Sequence, residues 1–329
     1  MAGEWAAPRD EVRPFGECWC AERGELMVGR RSRAVSVYLR LTRKRGMGSA
    51  ERARAAMAGP PGDHAPPRGL RRRYSIACRT VGDFPSYTVV PRPGRESGTV
   101  VIYLHGGSFF REISWWHWRF IGRLAAAGHR VEVPIYPLAP RYTHRDARPY
   151  LTEIYRGVLG EFDPARVAVA GDSAGGTLAL TLAQSLPEAG LPAPARLILL
   201  SPCLDMRLSN PEIDRVEAAD PWLARPGLLE AGRVWAGGDD LGLPGLSPIN
   251  GPLDGLPPTD IFMGTHDILH PDARLFAERA GSAVRFTEVT GAFHVYPLVP
   301  VPEAGPAVRA ILAAVAQCDG HSAAPEPEP

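Results

Sequence analysis

Six short apolar runs, separated by segments of helical character, constrain the fold of this chain more than any other feature. They are TVVIYL (99–104), RVEVPIY (130–136), RVAVAG (166–171), RLILLS (196–201), TDIFMG (259–264) and VRFTEV (284–289). Their hydrophobicity is continuous and does not alternate, so both faces of each strand must be covered, as in a parallel sheet flanked by helices. Segments 115–127, 145–160, 174–186, 271–280 and 303–317 read as those helices. The order predicts an α/β fold with one main domain. RRYSIAC (72–78) and SYTVVP (86–91) read as two earlier strands, antiparallel to one another.

Residues 1–69 form an N-terminal extension, irregular up to about residue 30. Within it, RRSRAVSVYLRLTRKR (30–45) carries Ala34, Val35, Tyr38, Leu39 and Thr42 at helical spacing. That predicts an amphipathic cap helix packed on the main domain. A membrane-surface helix is the competing reading, and the short apolar face argues against it. AGPPGDHAPPRG (58–69) is a Pro/Gly-rich linker in which His64 is expected to be solvated. The main domain then runs over 70–317. Its 203–258 stretch lacks the strand–helix rhythm and suits an insertion near a site. Residues 318–329, ending HSAAPEPEP, read as a disordered tail.

At 329 residues the chain can bury a large core, and it is 45% hydrophobic and 22% charged with a formal net charge of +1. That balance gives no reason to expect nucleic acid or an anionic membrane as the main partner. Lys44 stands alone against 36 arginines, which reads as codon bias and not as a binding code. The five cysteines are scattered and without a C-x-x-C, which suggests a reducing compartment and no disulfide framework. Cys18 and Cys20 flank Trp19 and make a poor metal site. The N-terminus has no apolar signal-peptide core. No apolar run approaches the roughly 20 residues needed to span a bilayer. A cytoplasmic protein without stable membrane insertion is the expectation, and a homodimer is compatible with it.

VAVAGDSAGGTLALTLA carries the chemistry. An apolar strand ends at Gly171, Ser173 follows, and a small-residue helix begins at once. This is G-x-S-x-G in strand–turn–helix context, a nucleophile elbow in which the glycines let helix and strand pass closely. A serine hydroxyl needs a base to take its proton. Asp267 lies just beyond the TDIFMG strand and His294 just beyond VRFTEV, in the chain order Ser, acid, His. His294 would take the proton from Ser173, and Asp267 would orient the ring.

The competitors are weaker. Asp260 starts its strand and should lie at the opposite edge, and Asp272 reads as a helix cap behind Pro271. His266 and His270 surround Asp267, so a metal cluster is an alternative, but Pro271 and the preceding strand put these residues on a turn. His129 precedes a strand and is expected to be solvated.

In YLHGGSFF (103–110), His105, Gly106 and Gly107 begin the loop after the TVVIYL strand. Backbone N–H groups aimed at a developing oxyanion can lower the barrier by about 3–4 kcal/mol per donor. Gly106, Gly107 and Ala174 are the predicted donors. His105 reads as a brace for the loop, and Ser108 has no elbow and no base. Asp172 reads as a structural polar partner beside the elbow.

At these residues the chain resembles the hormone-sensitive-lipase-like branch of the α/β-hydrolases, marked by H-G-G-G and G-D-S-A-G. The matching residues are HGGS (105–108), YPLAP (136–140), GDSAG (171–175), GTHD (264–267) and FHVY (293–296), over roughly residues 70–317. The wording of YLHGGSFFREI, IYPLAP and SPCLD is similar to bacterial acetyl-hydrolases and fungal steryl acetyl hydrolases. Ser108 departs from the third glycine, and the stretch before about residue 30 is unmatched.

The resemblance implies an α/β-hydrolase fold with an N-terminal helical cap. It also implies ester hydrolysis through an acyl-enzyme on short or medium acyl chains, with no metal or cofactor. The expected substrate is a small ester of apolar character. Phe109, Phe110, Trp115, Trp116, Trp118 and Trp222 are candidates to line its pocket, though aromatics at helical spacing are more often core. An amidase or formamidase using the same side chains, and a non-catalytic ligand receptor, are the rival readings.

Overall fold

In the computed structural model, which describes residues 29–318, eight strands form one sheet in the order β1-β2-β4-β3-β5-β6-β7-β8. These are β1 (Ser75–Val81), β2 (Phe84–Val90), β3 (Val100–Leu104), β4 (Arg130–Pro134), β5 (Val167–Asp172), β6 (Arg196–Leu200), β7 (Thr259–His266) and β8 (Val284–Phe293). β1 pairs antiparallel with β2, and β2 with β4; every other pairing is parallel. This is the mostly parallel, helix-flanked sheet that the resemblance implies. All parallel strands point their C-terminal ends to one edge, where loops must carry any site.

β3 and β5 are buried at every position, which explains their unbroken hydrophobicity. Successive residues feed two cores: Val100, Ile102 and Leu104 pack on one face, Val101 and Tyr103 on the other. The eight longer helices, in chain order, begin with α1 (Arg30–Leu39), α2 (Ala50–Met57), α3 (Trp115–Ala126) and α4 (His144–Leu159). They continue with α5 (Ala174–Ser185), α6 (Arg225–Ala236), α7 (His270–Ala280) and α8 (Ala304–Ala316). α3 and α8 cover one face of the sheet and α4, α5 and α7 the other. α3 starts at Ser114, whose side chain and that of His117 cap each other's backbone, and it buries Ile121 and Leu124 completely. Each such side chain stabilises the fold by about 1.5–3 kcal/mol, so Leu124→Ala is a disruptive change.

The edge strand β8 is only half covered along most of its length, because it has a neighbour on one side alone. α1 continues through a π-helical turn, Arg40–Lys44, to Met47. Its expected apolar face is corrected: Leu39 is buried, but Tyr38 is 58% exposed and Ala34 and Thr42 are also exposed. The contact is made instead further along, where Met47 packs so closely on Gly227 of α6 that a side chain there would strike its backbone. α2, capped by Ser49 accepting from Arg52 N at 3.2 Å, also packs on α6. The N-terminal helices therefore rest on the 203–258 stretch.

Three more expectations are corrected, two of them by long-range contacts. His64 is half-buried with Nδ1 3.0 Å from the Tyr87 hydroxyl, and His129 is buried with Nδ1 2.9 Å from Ser97 Oγ. Asp272 sits inside the first turn of α7, not at its cap, which is Leu269. The Cys18–Cys20 pair, the irregular start and the residues after 318 lie outside the described residues. No described helix is long and apolar enough to cross a membrane.

Candidate active site

Three loops at the C-terminal edge of the sheet converge on Ser173. β5 ends at Asp172, and α5 starts at Ala174, so Ser173 alone makes the turn, at φ 52° and ψ −118°. An L-residue is strained there, and such strain persists only where the surroundings over-determine it. They do: a side chain at Gly171 would strike the Gly175 carbonyl, and one at Gly175 would strike the end of β3. The helix thus passes directly over the sheet, with the serine hydroxyl beside its N-terminus.

Asp267 follows β7 and His294 follows β8, and all three side chains are buried. His294 Nε2 lies 3.0 Å from Ser173 Oγ, and Nδ1 lies 2.9 Å from Asp267 Oδ2. Asp267 also accepts from Leu269 N through Oδ1 at 3.0 Å, which holds its carboxylate in place. Val295, at φ 47°, turns the chain beyond the histidine, and its N–H donates to Ser201 Oγ at 2.9 Å. Burial works to lower the His294 pKa, but the charge and hydrogen bond of Asp267 outweigh it and raise it above the usual 6.5. These side chains can pass a proton from a hydroxyl to a ring whose cationic form is held by a carboxylate.

The loop after β3 crosses the elbow. Gly107 has φ 137°, and Ser108 and Phe109 follow at φ 53° and 64°. A run of left-handed residues explains why glycine would suit position 108, and the chain accepts Ser108 there at some strain. The expectation for Gly106 is corrected. Its N–H donates to Asp172 Oδ1 at 3.0 Å and is not available to an oxyanion. Gly107 and Ala174 keep N–H groups with no hydrogen-bond acceptor among the described residues.

Asp172 organises this corner. It accepts from the Tyr103 hydroxyl at 2.6 Å and faces His117 Nε2 at 3.3 Å, while Ser114 N donates to His117 Nδ1 at 2.8 Å. Burial opposes ionisation of Asp172, but His117 and these hydrogen bonds hold its pKa below the carboxylate norm. His105 is buried, stacked on Tyr136 at 4.5 Å between ring centroids, and Tyr136 donates to its carbonyl at 2.8 Å. Burial, and then the neighbouring His117, push the His105 pKa down to about 3, so its ring is neutral and cannot serve as an acid.

Ser173 opens on two spaces. One, of about 200 Å³, is bounded by His294, Gly107, Trp116, Trp222 and Arg43. The other, of about 20 Å³, lies among Ser108, Ala174, Cys203, Met206 and Leu208. Larger hollows occur elsewhere, such as one of about 320 Å³ between α4 and α5, but they hold no such constellation. Of the aromatic candidates, Trp116 and Trp222 line the larger space, and Trp222 meets the His294 ring edge-on at 5.8 Å. Phe109 borders the smaller one and stacks on Trp235 at 4.8 Å, Phe110 and Trp118 are core, and Trp115 is exposed.

Asp260 is at the far edge, paired with Arg196 and Arg285, and His270 pairs with Glu288 at 2.8 Å while His266 is exposed. Among the described residues no group of three or more His, Cys, Asp or Glu side chains is placed to hold a metal ion. Sequence reasoning missed Asp220, which is buried and accepts from Trp222 N, Leu223 N and Ile268 N at 2.7, 2.8 and 2.8 Å. It ties the Asp267 turn to Trp222, and burial together with the Asp267 charge raises its pKa to about 6. An aspartate directly before Pro221 in a Pro/Gly-rich stretch was the available signal.

A family model described as alpha/beta hydrolase fold matches residues 101–298. An acetyl-hydrolase of Streptomyces hygroscopicus is 34% identical over 210 residues, covering 62% of this chain and 70% of that protein. An esterase of Acinetobacter venetianus is 31% identical over 245 residues, covering 68% of this chain and 80% of that protein. A solved esterase from the bacterial hormone-sensitive lipase family superposes with a TM-score of 0.74 at 26% identity, over 89% of this chain and all of that one.

Proposed function

The chain belongs to the α/β-hydrolase family and is a serine-hydrolase-type esterase, and from that premise we propose that Ser173, His294 and Asp267 are its catalytic triad. The observation that carries the proposal is the single imidazole bonded to both partners, 3.0 Å from Ser173 Oγ and 2.9 Å from Asp267 Oδ2. With Nδ1–H on the carboxylate, Nε2 is left to accept the serine proton. Ser173 Oγ then attacks the ester carbonyl, and the N–H groups of Gly107 and Ala174 receive the oxyanion. The imidazolium passes its proton to the leaving alcohol, and water releases the acid from the acyl-enzyme by the same route in reverse.

The small space beside Ala174 fits a short acyl group, and the larger space under Trp116 and Trp222 fits the alcohol part of a small apolar ester. In this reading residues 70–317 are the catalytic unit, covered by the N-terminal helices and the 203–258 stretch. The cytoplasm is the compartment we infer, from cysteine usage alone. The test is hydrolysis of p-nitrophenyl acetate and p-nitrophenyl octanoate by the wild type and by Ser173→Ala. The reading expects faster turnover of the acetate and a fall in kcat of about 10⁶ in the variant. Unchanged turnover in Ser173→Ala would remove the triad.

A further inference from the structure

Two guanidinium groups border the cleft, and neither has a carboxylate within ion-pair distance among the described residues. Arg43 comes from the π-helical turn Arg40–Lys44, and Arg111 from the end of the loop that carries Gly107. Both line the same 200 Å³ space as Ser173 and His294. The cations beside Arg43 are used otherwise: Arg40 donates to the Ala219 carbonyl, and Lys44 to those of Glu217 and Asp220. These bonds fasten the turn to the 217–220 segment and leave Arg43 facing the cleft. π-turns shift the residues that follow round the helix axis and recur at functional sites.

Arg111 lies over the Phe110 ring, 5.0 Å from its centroid. Burial, and after it the charge of Arg43, push its pKa below the ordinary guanidinium value, so the two cations feel each other. Glu112 is next in the chain but answers neither. Its Oε2 is buried without a partner, and burial lifts its carboxyl to about 7. Among the described residues many exposed arginines are also without an acid, so what sets these two apart is that both border the cleft that holds Ser173 and His294. Two unpaired guanidinium groups on the wall of one cleft favour an anionic group on what enters it.

We infer that Arg43 and Arg111 form a subsite for a carboxylate carried on the alcohol part of the substrate. It is on the alcohol side because the acyl side is the small space behind Ser108 and Ala174, which neither arginine borders. The subsite rests on the esterase reading and adds a cationic determinant to a cleft that Trp116, Trp222 and Leu298 line on its apolar side and Glu112 and Ser114 on its polar side.

The test uses 4-acetoxybenzoate and its methyl ester, which present the same acetyl group with and without the negative charge. The quantity read is the ratio of kcat/KM for the acid to that for the methyl ester. In Arg43→Gln/Arg111→Gln the ratio should fall about tenfold, carried by KM of the acid. In the wild type the ratio should also fall as NaCl is raised, and in the double variant it should not. Because each protein serves as its own control, a partly inactive variant still gives a ratio. An unmoved ratio with the methyl ester still hydrolysed would overturn the subsite alone. No turnover of the methyl ester by the wild type would overturn the esterase premise, and the subsite with it.

Discussion

On one side of the cleft, Asp172 joins Tyr103, Gly106 and His117 through contacts of 2.6, 3.0 and 3.3 Å, all of them buried. On the other side, Arg40 and Lys44 hold the N-terminal helices to the 217–220 segment through bonds to backbone carbonyls, and Val37, Tyr38 and Leu41 stay more than half exposed. The sheet-edge wall is over-determined, because each polar group fixes the next and the strained turns cannot relax. The helical wall is anchored outside the sheet edge, by Gly29 and Ser32 on Glu303, by Arg40 and Lys44 on backbone carbonyls, and by Met47, Ala53 and Met57 in the core. The contrast divides the labour: the sheet edge fixes the chemistry, and the cover decides what reaches it. Changes to the first wall should therefore act on kcat, and changes to the second on KM.

Asp267→Asn should have the largest effect among the supporting residues. It keeps the shape but loses the charge that holds the His294 tautomer, and kcat on p-nitrophenyl acetate should fall by about 10⁴. A loss below about tenfold would mean that Asp267 is dispensable to the sheet-edge wall. Asp172→Ala should lower kcat by about 10- to 100-fold, since the oxyanion loop loses its anchor. Urea unfolding should also show a loss of about 1–3 kcal/mol for each buried group left without a partner. If KM alone moved, the wall would be less rigid than its hydrogen bonds imply.

The pH profile is the next test. The neutral His294 ring is the base, so kcat/KM should fall about tenfold per unit below its pKa. Asp267 raises that pKa against the opposing effect of burial, so the acid limb should lie above 6.5. An acid limb at or below 6.5 would show burial winning. For folding the sign is reversed: the raised pKa makes the protonated ring stabilising below 6.5, and that contribution is lost as pH rises through the folded value. Lys44→Met should have the smallest effect. It frees the cover from the 217–220 segment and should raise KM about threefold with kcat unchanged. A fall in kcat instead would couple the two walls.

The same division governs how much the sequence disclosed. The inner strands were legible because burial on both faces writes unbroken apolar runs, and five of the six runs became strands within about two residues; the sixth, the half-covered edge strand β8, runs four residues further, to Phe293. The elbow was legible because close helix–strand passage admits only glycine at 171 and 175. The loop beyond β3 was read correctly as a glycine turn but wrongly in its first donor. The acceptor that takes the Gly106 N–H is Asp172, on another strand, and no local pattern reports such a contact. His64, His129 and Asp220 were misread or missed for the same reason, each being tied to a residue far away in the chain. The cover was least legible. Its helix was visible at 30–45, but the π-turn and the contact through Met47 changed which face packs.

Covalent labelling tests the assignment of the chemistry to the elbow most directly. The protein would be treated with a fluorophosphonate, digested, and the modified residue located by mass spectrometry. One adduct should appear, on Ser173, and Ser173→Ala should take none. An adduct on Ser108, or labelling that survives in Ser173→Ala, would contradict the account and move the nucleophile to the other loop.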